Sequence, residues 1–369
     1  MALTDIEAGR LADNVFNVVG PNKNLIINGA MQVAQRGTSS TTSGYGSVDR
    51  FFVQIDGGTV THTQTAIASG TPYDEGFRNV LRLTNTATAT GASDIRNPFQ
   101  YIEAQTIANS GWNYASSTSY VTLSFWVRSS VAQEFYGYLR SFDGTEQAYS
   151  FSLGSLSADT WTKVTKTIPG NSNLTFDNNN GVGLQVNISP FFGTDYTDAG
   201  NTVNTWGAFA SSSRTPDYTN TWAGTTNATF DVTGVQLEVG SVATPFEHRS
   251  YGDELARCQR YYYMVGNRLN DPICNGAIYS ANNFYGVLSL PTTMRTAPSI
   301  DVTNVAGHFT VFSDGTGDNC NTCLFSVTRN NQVEVNITSS QGLSGATQSH
   351  AAWLRVNSND AHLAATAEL

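Results

Sequence analysis

Lysine is almost missing from this chain: among 369 residues it occurs only at Lys23, Lys163 and Lys166. Charge of any sign is sparse, at 13% of residues. Lys and Glu, with Ala and Leu, lose least entropy in helices, so their scarcity excludes a helix-rich enzyme of the usual cytosolic composition. Basic residues number 19 against 29 acidic ones, a net charge of −10, and no segment clusters them. Neutralising phosphates needs such a cluster, which excludes a duplex nucleic-acid binder. The first 23 residues hold no continuous apolar run and carry Asp5, Glu7 and Asp13 early, so neither a secretory signal nor a membrane span is expected there.

Cysteine is absent from the first 257 residues, and all four copies, Cys258, Cys274, Cys320 and Cys323, lie in the last third. That asymmetry points to two units of separate character. The spacing of Cys320 and Cys323 matches half of a zinc site, yet a structural site needs four ligands and no second pair follows. Free thiols or a local disulfide are expected instead, and no metal or other cofactor.

Abundance lies elsewhere, in 45 Thr, 35 Ser, 33 Asn and 33 Gly. Together with Tyr, Phe and Val these residues suit pleated strands joined by turns, so the expected fold class is all-β. Residues 120–128 alternate, with Val121, Leu123, Phe125 and Val127 on one face, as a half-buried strand does. The same alternation returns in 181–188 and 232–239, and more briefly at Phe51, Val53 and Ile55. Polar stretches at 37–47, 86–93, 171–180 and 193–213 read as loops. The last is too long for a structureless connection, which makes it a functional loop or, in preference, an excursion packed on a neighbouring subunit.

One helix is expected over 251–264, opened by a capping box from Ser250 to Asp253. Strands at 285–290, 299–304, 308–312, 323–328, 333–337 and 352–356 then make a second, smaller β domain. Asp143-Gly144 reads as a type I′ hairpin turn. No internal repeat is visible, which opposes a β-helix of the depolymerase type.

Three stretches carry a resemblance. Asn24-Leu-Ile-Ile-Asn-Gly-Ala-Met-Gln-Val-Ala-Gln-Arg-Gly37 followed by Val48-Asp-Arg-Phe-Phe52, the strands near 120–130 and 161–168, and Val232-Thr-Gly-Val-Gln-Leu-Glu-Val-Gly240 with its exit through Phe246-Glu-His-Arg249 resemble the jelly-roll domain of many tailed-bacteriophage tail-fibre and related virion proteins. The likeness continues through 251–262, Leu290-Pro-Thr-Thr-Met-Arg-Thr-Ala-Pro298 and the ending 364–369, and so covers roughly 24–369. Ahead of it, residues 1–23 carry more apolar side chains than a solvated tail needs and read as an anchoring arm, while the likeness itself implies three parts: a jelly roll at 24–249 similar in layout to carbohydrate-binding modules, a linking helix at 250–266 and a distal β domain at 267–369. It further implies a homotrimer within the virion, with no enzymatic activity, attached to other virion proteins through the arm. Ile6, Leu11, Val15, Phe16, Val18 and Val19 are the expected anchoring residues. Host-surface attachment is the implied role, with capsid decoration and a glycan-degrading tailspike as alternatives.

Sugars are bound by aromatic faces with amides and carboxylates around them. The expected glycan-contacting residues are Tyr279, Phe284, Tyr285, Trp112 and Trp222, each of which has core or interface packing as its alternative fate. Catalysis has weaker footing. Glu134, Asp143 and Glu146 form the densest acidic neighbourhood, but the five histidines are scattered and no GxSxG, HExxH or phosphate-binding loop accompanies them. Asp314 and Asp318 offer oxygen ligands for calcium, in too small a number for a site.

Overall fold

The structure, a computed structural model, describes residues 23–369 apart from 304, 321, 327–328, 339–342 and 344–346. The six anchoring residues of the N-terminal arm lie outside the described residues. Two compact units emerge, one ending at Glu254 and also holding Leu369, the other spanning Leu255–Glu368.

In the first unit two antiparallel sheets enclose one core. One sheet has the order Ser39–Ser40, Thr59–Ala66, Asn79–Ala87, Thr229–Val239, Tyr120–Ser129, Thr162–Pro169. The other runs Phe191–Phe192, Ile95–Glu103, Val182–Ser189, Gln133–Ser141, Gln147–Leu156, Trp206–Ala208, with Phe52–Asp56 also paired to Ile95–Glu103. Counting the eight long strands from Asn79 onward, the first sheet holds the first, eighth, third and sixth, and the second holds the second, seventh, fourth and fifth. That interleaving is the connectivity of a jelly roll. Leu81, Leu83, Leu123, Phe125 and Val127 from one sheet meet Phe135, Leu139, Leu184, Val186 and Ile188 from the other.

Tyr120–Ser129 departs from the half-buried expectation, because its second face is covered too: Thr122, Ser124 and Trp126 are buried. The indole of Trp126 donates to Glu75 at 2.9 Å, and the Thr122 hydroxyl donates to the Gly240 carbonyl at 2.8 Å. Beside them the fully buried Asp231 is clamped by Arg82 and Arg128, each at 2.7 Å.

The opening and closing segments of the domain are sewn together by polar side chains. Asn24 Oδ1 accepts from the Ile26 and Leu237 amides, while Glu247 accepts from the Asn24 amide at 2.7 Å. Arg249 bridges Glu247 and Glu254 and donates to the Ile26 carbonyl, and Glu254 accepts from the Asn28 amide at 2.6 Å. A buried charge persists only when paired and hydrogen-bonded, so these residues depend on one another.

The helix is shorter than expected, Tyr251–Gln259, although Ser250 does cap it: the Asp253 amide donates to Ser250 Oγ at 3.2 Å and that hydroxyl donates to the Asp253 carboxylate at 2.7 Å. The aromatic and β-branched run that follows becomes the strand Tyr262–Gly266, paired with Leu363–Thr366. Such side chains lose rotamer freedom in a helix and fit a pleated surface better.

The second unit packs a three-stranded sheet, Tyr262–Gly266, Leu363–Thr366, Ser299–Val302, with a seven-stranded one. The latter runs Thr316–Asn319, Phe309–Ser313, Ala351–Val356, Pro272–Ser280, Asn283–Ser289, Gln332–Thr338, Thr322–Ser326. Phe284, Leu288, Val311, Val333, Val335, Ile337 and Leu354 fill the core between them. None of Cys258, Cys274, Cys320 and Cys323 is joined in a disulfide.

Candidate functional site

The outer face of the first unit's second sheet is built from alternate residues of its strands. Tyr101 pairs with Gln185, which pairs with Arg140, which pairs with Ala148. One step along, Phe99 pairs with Asn187 and Asn187 with Tyr138.

Much of this face is closed by the chain itself. The segment expected to pack on a neighbouring subunit instead folds back over its own sheet, where Tyr196, Phe209 and Tyr218 pack on Ile95, Tyr138 and Phe192. The Tyr218 hydroxyl donates to the Ser189 carbonyl at 3.2 Å and Arg214 lies 4.6 Å above the Tyr196 ring. Burial under this cover pushes the Tyr138 phenol up to about 12. Its aromatic content drives the fold-back: three rings gain more by covering the sheet than the polar residues between them lose.

Beyond the cover runs a row of rings, half-open at Tyr45, Phe52, Tyr101 and Phe142 and buried at Phe99. Tyr45 meets Phe52 edge-on at 5.2 Å, Phe52 stacks on Phe99 at 4.9 Å and 17°, Phe99 meets Tyr101 at 4.9 Å, and Tyr101 meets Phe142 at 5.6 Å. Guanidinium groups flank the row, Arg36 at 5.5 Å from Tyr45 and Arg140 at 4.4 Å from Phe142. Arg140 is fixed by Glu146 through Nε at 3.0 Å and Nη2 at 2.6 Å. Gln185, on the strand between Tyr101 and Arg140, is 4% exposed and its Oε1 has no hydrogen-bond partner in the structure. The site therefore offers ring faces and a positioned cation, with the buried Gln185 amide beneath them.

The glycan-contacting residues expected from the sequence fare unequally. Trp112 and Trp222 belong to the first unit's core, their indoles donating to the Ser119 and Thr229 carbonyls, and Phe284 belongs to the second unit's core. Their rings have no free face for a sugar, because large aromatics beside long apolar strands gain more from burial than from loop exposure. Tyr279 and Tyr285 do stand outside, ring to ring at 5.0 Å. Tyr285 borders an open hollow lined by Gly286, Val287, Arg329, Gln332 and Glu334.

Sequence reasoning passed over the row of rings because its members come from four separate segments. The alternation of Phe99 and Tyr101 within one strand was the available signal.

The acidic neighbourhood is engaged elsewhere: Glu146 with Arg140, Glu134 with the Ser152 hydroxyl at 2.6 Å, and Asp143 with the Asp177 amide at 3.0 Å. Only Gly144 of the Asp143-Gly144 pair has positive φ, so the turn is not type I′, which needs both. Asp314 accepts from His350 Nδ1 at 2.8 Å, which holds its carboxyl below the usual range. Among the described residues no three His, Cys, Asp or Glu side chains gather as a metal site would require, and no helix is long and apolar enough to cross a membrane.

No family model matches the chain, and no curated protein matches it either. Among solved structures it is similar to the enzymatically active domain of tailspike protein 4 of Bacteriophage CBA120, at 12% identity and a TM-score of 0.29 over 60% of this chain and 22% of that one. A putative sugar binding protein from Bacteroides thetaiotaomicron VPI-5482 is similar at 12% identity and a TM-score of 0.31, over 59% of this chain and all of that one. A family 30 carbohydrate binding module follows at 12% identity and a TM-score of 0.28, over 62% and 91%. Likenesses this distant assign no role to the present chain.

Proposed function

We propose that this chain is a non-enzymatic structural protein of a tailed-phage virion, a homotrimeric tail fibre that attaches the particle to host-surface glycan. The virion role rests on the resemblance of the opening and closing segments, whose residues the structure finds bound to one another. Glycan binding rests on one observation, the row from Tyr45 to Phe142, half-open at four of its five rings, with Arg140 beside it. Ring faces take the C–H face of a pyranose. Such shallow contacts are individually weak and gain strength through the effective concentration of several copies.

Binding of the purified protein to host-cell glycans, followed by Tyr101→Ala and Phe142→Ala, tests the reading. Each change should weaken binding about tenfold, the loss of roughly one ring contact, while the unfolding midpoint shifts little. Undiminished binding by both variants would remove this site from consideration. Gold-labelled antibody on intact particles separates the roles: label at the tail end supports the fibre, and label spread over the capsid replaces it with decoration.

A further inference from the structure

Four of the eight exposed large hydrophobic side chains among the described residues share one surface, the outer face of the second unit's seven-stranded sheet. They are Tyr279 at 64%, Val287 at 54%, Leu324 at 55% and Trp353 at 39% exposure. Phe312 stacks on Trp353 at 5.1 Å and 27°, extending the patch across the sheet. The inner face of the same strands already packs into a core. A sheet that is apolar on both sides is one built to be covered on both.

The charges on this face indicate what covers it. The central hairpin, Pro272–Ser280 with Asn283–Ser289, is flanked on one side by Ala351–Val356, which presents Arg355, and on the other by Gln332–Thr338, which presents Glu334. Arg355 pairs across the ladder with Pro272, and Glu334 with Val287, so both lie toward the hairpin's open end. Arg355 rests on the Phe312 ring at 4.0 Å and its Nε has no hydrogen-bond partner. Neither Arg355 nor Glu334 makes an ion pair among the described residues, whereas the neighbouring Asp314 is already engaged by His350. Arg329 stands at the rim beside Glu334.

We propose that this face is an interface between copies of this chain, with Arg355 of one copy against Glu334 of the next and the apolar residues buried between them. A cation and an anion set on opposite sides of the central hairpin are self-complementary. Rotation about an axis running along that hairpin carries one onto the other, which is the requirement for a closed assembly of identical chains. The proposal does not depend on glycan binding by the first unit. It withdraws Tyr279 and Tyr285 from any sugar, since both would be covered.

Native mass spectrometry of the full chain tests it. The wild-type chain should appear as a closed oligomer, and Arg355→Glu and Glu334→Arg should each shift the population to single chains. The double variant, which exchanges the charges within one chain, should restore the oligomer. Val287→Asp and Leu324→Asp alter side chains already exposed in the single chain, so they should fold and yet remain monomeric. A wild-type chain that is monomeric at micromolar concentration would overturn the proposal, as would an oligomer that survives all four single changes.

Discussion

At the scale of single residues, the groups that hold the first unit together are polar ones placed where apolar packing leaves no alternative. Asp231 is fully buried and ligated by two guanidinium groups, an arrangement whose loss leaves two cations facing an uncharged amide. Asp231→Asn should therefore lower the unfolding free energy by roughly 3 kcal/mol in urea titrations, the cost of removing one partner from a buried pair. His62 gives the molecule a pH response. Its Nε2 donates to the Thr42 carbonyl at 3.0 Å and its Nδ1 lies 2.8 Å from the Ser47 hydroxyl, so the neutral ring is satisfied at both nitrogens and charging it carries the cost of burial. Burial lowers its pKa from the ordinary 6.5. The unfolded chain takes up a proton at the ordinary value and the folded chain does not, so His62 leaves stability flat above 6.5 and erodes it as pH falls below. Urea midpoints measured between pH 7.5 and 5.5 should decline in the wild type and decline less in His62→Gln.

At the scale of elements, the closing strand Thr229–Val239 shows how a local irregularity serves the whole domain. Its register shifts between Thr233 and Gln236, and Gly234 in that bulge has φ of 64°. A Cβ there would stand 2.7 Å from the Phe77 ring. Gly234→Ala should cost about 2 kcal/mol, combining left-handed strain with displacement of a buried ring, and calorimetry should show it as a lowered midpoint. The bulge also turns Gln236 toward the exit segment, where its Oε1 accepts from the Glu247 amide at 2.8 Å. Alternation made such strands legible in the sequence, since period-two apolar patterning survives whatever lies outside the sheet. Pro272–Ser280 escaped notice because Pro272, Asn275 and Gly276 read as turn formers. Gly276 is required by the fold, for its absent side chain would fall 2.0 Å from the Tyr285 carbonyl. The covering segment over the first unit was legible as an excursion but not in its destination. Tyr196, Phe209 and Tyr218 declare that they will be buried, and sequence spacing does not say against which surface. The row from Tyr45 to Phe142 was illegible for the same reason, being assembled only when four segments meet.

At the scale of the whole molecule, the uneven distribution of two residue types offers a way to watch each unit separately. All four thiols, at Cys258, Cys274, Cys320 and Cys323, belong to the unit spanning Leu255–Glu368, and none is in a disulfide. Five of the six tryptophans, all but Trp353, belong to the other unit. Thiol labelling during urea unfolding therefore reports one unit, and tryptophan emission chiefly the other. Each unit has its own core, so the two signals should not share a midpoint. The assembly proposed for the second unit adds a sharper expectation. Association stabilises only the folded form it joins, by an amount that grows with concentration. Raising protein concentration a hundredfold should move the thiol-labelling midpoint upward while the tryptophan midpoint stays in place, and Arg355→Glu should abolish the movement. A tryptophan midpoint that rises in step would mean that the first unit shares in the contact between copies, and the apolar sheet face would no longer suffice to explain the assembly.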